Sequence, residues 1–184
     1  MNIQAPKRMT VDEYLVWAQE RPGRYELIDG TVRQMSPETS GHADAKVFAY
    51  MALRAAIKRA GLPYLAKPDG MTVRVAKDTV FEPDALVYAA PKVDDNDVEI
   101  PHPIIIVEVV SKSTRKYDAG FKLEGYLSLQ TVQHVLLVNW VTQSILHYCR
   151  QSASSFMATS ISDGILRLDP PGLEIPVADF FAVD

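Results

Sequence analysis

The chain of 184 residues is 47% hydrophobic, which is enough for one domain with a sizeable core. A formal net charge of -4 argues against a protein that coats nucleic acid through bulk positive charge, so any contact with nucleic acid would have to be local. The single cysteine, Cys149, excludes an internal disulfide framework and a cysteine-based zinc site, and its apolar neighbours predict a core position.

No segment approaches the roughly 20 consecutive apolar residues of a membrane helix, and the N-terminus lacks the apolar core of a signal peptide. We therefore expect a cytoplasmic protein. Nothing marks a linker, so we predict a single domain over residues 1–184, with a motif-bearing core at about residues 10–150 and a β-rich appendage at about 151–184. The appendage is expected to serve packing or oligomer contacts.

The first predicted elements are a short helix and a hairpin. Thr10 and Glu13 form a capping box ahead of an apolar stripe that ends near residue 21. Residues 24–28 and 31–35 then flank Asp29-Gly30, a dipeptide that tolerates the positive φ of a tight hairpin turn.

A long helix is predicted next, over about residues 41–60, with Ser40 as its N-cap and Gly61 as its stop. Its apolar stripe is expected to include Val47, Met51 and Ala55. Its basic side chains are expected to form a solvated face rather than a binding surface: Lys46, Arg54, Lys58 and Arg59.

The rest of the chain is predicted to form mainly strands, with one further helix. The strands are expected at residues 71–75, 84–88, 103–110, 133–140 and 144–150, and the helix at residues 118–129. Strands followed by a helix that crosses to another strand are typical of the α/β class, so we predict a mixed β-sheet flanked by helices.

The most informative segment is the apolar run PIIIVEVV at residues 103–110. Apolar residues at both side-chain parities predict a strand buried on both faces, with Glu108 inside it. A buried carboxylate costs several kcal/mol unless it is protonated, paired with a cation or bound to a metal. Glu108 therefore requires a partner, which is either an Arg or Lys that only supports the fold or a functional cation.

Asp84 is the second candidate acid. It follows Pro83 at the start of an apolar strand, where an aspartate often only caps a turn. Two acids near strand ends can instead converge on one Mg²⁺, which prefers carboxylate, water and phosphate oxygens and polarises a phosphoryl group. Without metal the two carboxylates repel, so one of them should take up a proton more readily than a free side chain.

Asp118 and Lys122 stand four residues apart on one face of the helix that follows Glu108. This is also the spacing of an ordinary surface ion pair, which contributes about 0.3–0.5 kcal/mol. A lysine directed at the end of the sheet would instead orient an attacking water or stabilise charge on a phosphate. Spacing alone leaves both interpretations open.

Five motifs occur together in chain order: RYELIDG at residues 24–30, MSPETSGH at 35–42, EPDALV at 82–87, VEVVSKST at 107–114 and YDAGFKLEGY at 117–126. Over about residues 10–148 the chain thereby resembles the Uma-type family of restriction endonucleases, a branch of the PD-(D/E)xK nuclease superfamily. The resemblance implies a restriction-endonuclease-like sheet with flanking helices, and an endonuclease that acts on DNA with Mg²⁺ or Mn²⁺ as cofactor.

The resemblance also implies a set of metal ligands. Asp84 matches the aspartate of the family's PD element, and Glu108 matches the second acidic ligand. Glu26 matches the acid that an N-terminal element often contributes. The other histidines fit no metal-ligand spacing and are predicted to be structural: His102, His134 and His147.

The lysine position departs from the superfamily pattern, which places a lysine two residues after the second acid, where this chain has Val110. The Uma-type group resembles cases in which this lysine has migrated, which assigns the role to Lys122, with Lys112 as the rival. His42 and Asp118 match recurrent family positions and are accessory candidates.

The leading hypothesis is therefore a Mg²⁺-dependent endodeoxyribonuclease that hydrolyses phosphodiester bonds through a metal-activated water. A second hypothesis is a catalytically silent nucleic-acid-binding or scaffold protein with the same fold, and a third is hydrolysis of another phosphoester. A homodimer is expected because related nucleases often address two strands with two sites. Residues 135–138 and Phe180-Phe181 are candidates for that surface or for the core.

Overall fold

The computed structural model describes residues 8–110 and 116–181. Helices α1, α2 and α3 span Val11–Gln19, Ser40–Ala60 and Lys116–Ser128, and a short 3-10 helix spans Val177–Phe180. Strands β1 to β12 span, in order, Tyr25–Ile28, Thr31–Gln34, Tyr64–Pro68, Val73–Ala76, Thr79–Phe81, Ala85–Ala89, Pro103–Val110, His134–Asn139, Ser144–Arg150, Phe156–Ile161, Ile165–Leu168 and Leu173–Pro176.

The strands form three sheets. The large sheet has the order β10-β9-β8-β7-β6-β3, the second has the order β2-β1-β5-β4, and β11 pairs with β12. In the large sheet β7 and β8 are parallel, whereas β7 and β6 are antiparallel. Helix α3 supplies the crossover that a parallel pair requires. The predicted α/β class, a mixed sheet flanked by helices, is confirmed.

Strand β7 lies inside the large sheet and is buried on both faces, as its apolar run predicts. Ile105 and Val107 pack against α2, whereas Ile106 packs in a second core with Tyr126 of α3. Because side chains alternate across a strand, Glu108 shares the α3 side with Ile106. The fold therefore directs the only acid of this strand toward α3.

Helix α2 corrects the predicted stripe. Its N-cap is Thr39, one residue before the expected Ser40, while Gly61 ends it in the left-handed conformation at φ 63. Val47 and Met51 are 52% and 58% exposed, and small residues such as Ala49 face the sheet instead. Alanines occupy the packed face because their small side chains let the helix approach the sheet closely. Among the described residues no helix is both long and apolar enough to cross a membrane.

The N-terminal elements form as predicted and anchor β1. The capping box of Thr10 and Glu13 is present at the start of α1. The hairpin turn places Asp29 at φ 48 and Gly30 at φ 73, the two positive angles of a type I′ turn. The hydroxyl of Tyr14 donates to the carbonyl of Tyr25 at 2.5 Å, which fixes α1 against β1. Together these contacts position the β1 side chains.

The C-terminal segment is part of the main core. The β11–β12 hairpin and the 3-10 helix pack against α2, and Leu166, Ile175 and Phe180 are fully buried. Residues 135–138 of β8 are likewise mostly buried. The suggestion that these residues form a dimer surface is therefore wrong for residues 135–138 and Phe180, since both are core.

Candidate active site

Strand pairing brings Asp84 to the end of β7. Strands β6 and β7 run antiparallel with Ala85 opposite Val107, so the residue that precedes β6 lies beside Glu108. The N–H of Asp84 donates to the carbonyl of Val107 at 3.0 Å. The N–H of Val109 donates to Asp84 Oδ2 at 2.6 Å. Backbone contacts therefore fix a buried carboxylate next to Glu108, which is the convergence of two acids expected from the sequence.

Glu108 is held from α3. Lys122 Nζ lies 2.8 Å from Glu108 Oε1, and the hydroxyl of Tyr126 donates to the same oxygen at 2.6 Å. Lys122 and Tyr126 are four residues apart, so they lie on one face of the helix. Both contacts use Oε1, so neither of them involves the second oxygen, Oε2.

Lys122 also connects the two larger sheets. Its Nζ lies 3.0 Å from Oε1 of Glu26 in β1. The same oxygen accepts the N–H of Glu82 at 3.0 Å. Lys122 is directed at the end of the sheet, so its alternative interpretation as an exposed surface lysine is wrong. Lys112 and the side chain of Asp118 lie outside the described residues.

Lys46 forms an ion pair with Asp84, as Lys122 does with Glu108. Its Nζ lies 3.0 Å from Asp84 Oδ1, 2.7 Å from Glu38 Oε2 and 3.1 Å from Asp69 Oδ2. Only 7% of its side chain is exposed. The prediction that Lys46 belongs to a solvated face is therefore wrong. Lys46 lies on the buried stripe of α2 beside Ala45 and Ala49, which the stripe expected from the sequence did not include.

Arg24 extends this ion-pair network. Its Nη1 donates to Asp69 Oδ2 at 2.7 Å, and its Nε donates to Glu82 Oε2 at 3.0 Å. Sequence reasoning missed six members of the site: Arg24, Glu38, Lys46, Asp69, Glu82 and Tyr126. They come from different elements, so no local spacing reveals them, except that Tyr126 follows Lys122 by one helical turn.

His42 contacts the main chain beside Glu108. Its Nε2 lies 3.0 Å from the carbonyl oxygen of Val109, and its Nδ1 lies 2.7 Å from Glu38 Oε2. His42 thereby joins Glu38 of the ion-pair network to the end of β7.

The electrostatics of the site are set by burial and by crowded acids. Burial raises the pKa of Glu108 to about 7; the charges of Asp84 and Glu26 act in the same direction, and Lys122 opposes them. Burial lowers the pKa of Lys122, but the carboxylates of Glu108 and Glu26 outweigh it, so the net pKa is raised. Lys122 is therefore a cation at neutral pH, while Glu108 binds a proton more readily than a free glutamate does.

The donor set fits a divalent cation. Four carboxylates of the site line a cavity of about 890 Å³ together with three of its cations: Glu26, Glu38, Asp84 and Glu108 with Arg24, Lys46 and Lys122. Each ionised carboxylate has about four lone-pair sites, so an oxygen that already accepts one bond can still bind a metal.

A glycine pair in α3 tests how tightly this helix is placed. A Cβ at Gly125 would lie 2.7 Å from Cε2 of Phe81, a buried ring that packs edge-on against Tyr126. We expect Gly125→Ala to destabilise the fold by about 1–3 kcal/mol through overpacking. A Cβ at Gly120 meets nothing within 4 Å. Gly120→Ala should therefore stabilise by up to about 1 kcal/mol through helix propensity.

Urea unfolding of both variants measures this difference. Equal effects of the two alanines would contradict the close contact between α3 and Phe81.

Comparisons with known proteins give consistent matches. The family model Uma2, described as "putative restriction endonuclease", matches residues 11–178. An uncharacterized protein of Synechocystis is 23% identical over 164 residues, 88% of this chain and 92% of that protein. A second uncharacterized protein of Synechocystis is 26% identical over 132 residues, 72% of this chain and 69% of that protein.

One solved structure shares the fold. It is described as a putative nuclease from Anabaena variabilis, and it superposes with a TM-score of 0.70 at 16% identity, covering 94% of this chain and 97% of that chain. The resemblance found in the sequence ends near residue 148, whereas the family match continues to residue 178. The match therefore includes the β11–β12 hairpin.

Proposed function

This chain belongs to the Uma2 family, and we propose that it is a metal-dependent endonuclease that hydrolyses phosphodiester bonds of DNA. One observation carries the proposal: Asp84 and Glu108 converge at the end of a buried strand, inside a cavity that Glu26 and Lys122 also line. Mg²⁺ or Mn²⁺ is the proposed cofactor, because hard cations prefer this donor set.

Asp84 and Glu108 would hold the metal, with Glu26 as an auxiliary acid. When bound, the metal would polarise the phosphoryl group and make a water molecule more acidic. Val109 N–H and Lys46 keep the Asp84 carboxylate in place. Tyr126 does the same for Glu108. Both acids are thus oriented before substrate arrives, which reduces the reorganisation needed for reaction.

Lys122 is the proposed catalytic lysine. Its ammonium is held between Glu26 and Glu108 and carries a raised pKa, so it acts as a proton-bearing donor and not as a base. From this position it orients the attacking water or stabilises charge on the phosphate. The carboxylates beside it repel a phosphate backbone, and a bound divalent cation would reduce that repulsion.

The test is cleavage of supercoiled, linear and single-stranded DNA with Mg²⁺, Mn²⁺ or a chelator. We expect cutting only with metal, and we expect Lys122→Met to lose about a hundredfold in rate, the scale of one lost transition-state donor. Lys112→Met should change the rate little.

Two results would overturn the proposal. A folded wild type that neither cuts DNA nor binds Mn²⁺ in calorimetry would favour the silent scaffold. Hydrolysis of small phosphodiesters without cutting of DNA would favour another phosphoester as substrate.

A homodimer is proposed as the acting form, since two sites can address two DNA strands. Analytical ultracentrifugation at concentrations used for cleavage distinguishes it from a monomer. A monomer that cuts both strands at one position would contradict the dimer.

The raised pKa of Glu108 predicts how metal binding depends on pH. Its pKa of about 7 lies above the ordinary value of 4.5, so protons compete with metal for this carboxylate as pH falls below about 7. We expect Mn²⁺ affinity to fall by up to about tenfold per pH unit there, as one displaced proton requires. Calorimetry above and below this pH measures the slope.

The raised pKa of Glu108 also predicts how the stability of the fold depends on pH. The folded state binds this proton more tightly than the unfolded chain, so the contribution of Glu108 to stability rises as pH falls from about 7 toward 4.5. For the metal-binding prediction, a Mn²⁺ affinity that does not change with pH between about 4.5 and 7 would be the contradicting result.

A further inference from the structure

A second group of metal-ligating side chains lies outside the candidate active site. The group consists of His134, His147 and Cys149. Each offers one potential ligand atom, and these three atoms lie within 4.8 Å of one another. His134 in β8 stands directly opposite Cys149 in β9. His147 precedes Cys149 by two residues, so strand alternation places all three side chains on one face of the sheet.

This face is not the face of Glu108. His134 has the parity of Leu136 and Val138, which pack in the core with α2 and the C-terminal hairpin. Glu108 has the parity of Ile106, which packs toward α3. Opposite Glu108 in the parallel register stands Leu137, three residues beyond His134. The two groups therefore lie on opposite faces of the sheet.

The hydrogen bonds of His134 prepare it to bind a metal. Its Nε2 lies 2.8 Å from the carbonyl of Pro170, which can only accept, so Nε2 carries the proton. In the neutral ring Nδ1 is then a lone pair, and it lies 2.9 Å from Nε2 of His147. A metal-binding histidine almost always donates its other N–H to such an acceptor, which fixes its tautomer and ring orientation.

The chemistry of the group selects a borderline-soft metal. His134 and His147 are 1% and 7% exposed, so both imidazoles are already shielded from water. Two imidazoles and a thiolate are typical zinc ligands, whereas Mg²⁺ prefers oxygen. The carboxylate of Asp169 is close enough to act electrostatically on both His134 and Cys149. It adds the negative charge that would balance a divalent ion beside one thiolate.

We propose that His134 Nδ1, His147 Nε2 and Cys149 Sγ bind Zn²⁺, with the fourth position open to water. On binding, the thiol of Cys149 releases its proton to the buffer, and the ring proton of His147 resides on Nδ1. The metal replaces the hydrogen bond between the imidazoles, whose nitrogens separate from 2.9 Å to about 3.3 Å, as Zn–N distances of about 2.0–2.1 Å require.

The ion would fasten the C-terminal hairpin to the large sheet. The Pro170 carbonyl belongs to the turn between β11 and β12, and it is bonded to a zinc ligand. The expectations that these histidines are only structural and that a single cysteine excludes a cysteine-based zinc site arose because the ligands pair across two strands. One thiolate is sufficient when two imidazoles complete the set. No short ligand spacing marks such a set.

Cobalt(II) is the probe for this site in the full chain. A thiolate bound to Co²⁺ gives a charge-transfer absorption in the near ultraviolet, and Cys149 is the only cysteine. The band therefore reports this site even when Co²⁺ also binds the carboxylates. We expect the band in the wild type, its loss on adding Zn²⁺, and its absence in Cys149→Ser.

Three further variants make the test specific. His134→Gln and His147→Gln should each weaken Zn²⁺ binding by at least about 10–100-fold, the scale seen when even an outer partner of a ligand is lost. Glu108→Gln should keep the band while abolishing cleavage, which separates this proposal from the proposed nuclease.

Two results with Co²⁺ would contradict the proposed zinc site. No cobalt band in folded wild type, or a band unchanged in both histidine variants, would show that the group is a hydrogen-bonded core pair beside a cysteine. Where a histidine variant fails to fold, protection of the Cys149 thiol from alkylation by Zn²⁺ in the wild type decides the question, and absent protection overturns the site.

Discussion

Replacement of Glu108 by glutamine is expected to lower metal-dependent DNA cleavage by about a thousandfold or more. Glutamine keeps the shape of the side chain and can still accept the hydroxyl of Tyr126, but it removes the charge that would bind the metal. Losing a metal's stabilisation of the transition state costs several kcal/mol, and each 1.36 kcal/mol is about tenfold in rate. Initial rates of plasmid nicking with Mg²⁺ and Mn²⁺ measure the loss.

The matched control is Glu124→Gln, which makes the same change at an exposed position of α3. It should leave the rate unchanged. The metal-free Glu108→Gln protein should melt no lower than wild type above about pH 7, because burial and the neighbouring acids disfavour the ionised carboxylate. Full cleavage by folded Glu108→Gln would remove Glu108 from the proposed metal site.

Replacement of Lys46 by methionine is expected to destabilise the fold by about 3–5 kcal/mol, the cost of removing one partner from a buried ion pair. Methionine fills much of the same volume, but it leaves Asp84, Glu38 and Asp69 without their shared cation. The side chains of Lys46 and Asp84 are both 7% exposed, so water compensates little. Urea unfolding without metal measures the loss.

Lys58→Met is the control for Lys46, since Lys58 is exposed on the same helix. It should cost well under 1 kcal/mol, as surface changes usually do. In the double variant Lys46→Met/Asp84→Asn, part of the loss should return because the unpaired charge is gone. Similar costs for Lys46→Met and Lys58→Met would show that the buried network contributes nothing to stability.

The fold was predictable where local pattern and burial agree. The PIIIVEVV run identified β7, and Asp29-Gly30 identified the first hairpin, because each signal depends on neighbours in sequence. The stripe of α2 was misjudged because the packed face uses alanines, while the larger Val47 and Met51 face outward. Hydrophobicity ranks single residues, but close packing of a helix on a sheet selects for small ones.

The candidate site was predictable in its acids and not in its cations. A carboxylate within an apolar strand requires compensation, and that requirement pointed to Glu108, while the match to the family's PD element pointed to Asp84. Which cation compensates each acid depends on three-dimensional pairing: Lys46 in α2 reaches Asp84, and Lys122 in α3 reaches Glu108. The family resemblance supplied Lys122, whereas nothing in the sequence separated Lys46 from the exposed basic residues of its helix.

Lys46 and Lys122 contact the same two carboxylates that are proposed to hold a metal ion. With Lys46 against Asp84 and Lys122 against Glu108, the acids are neutralised by groups attached to the chain itself. Under the proposed function, an incoming divalent ion would have to compete with these tethered ammonium groups for the same carboxylate oxygens. Its occupancy would therefore follow the free concentration of the metal around the protein, and the acids would stay protected whenever that concentration is low.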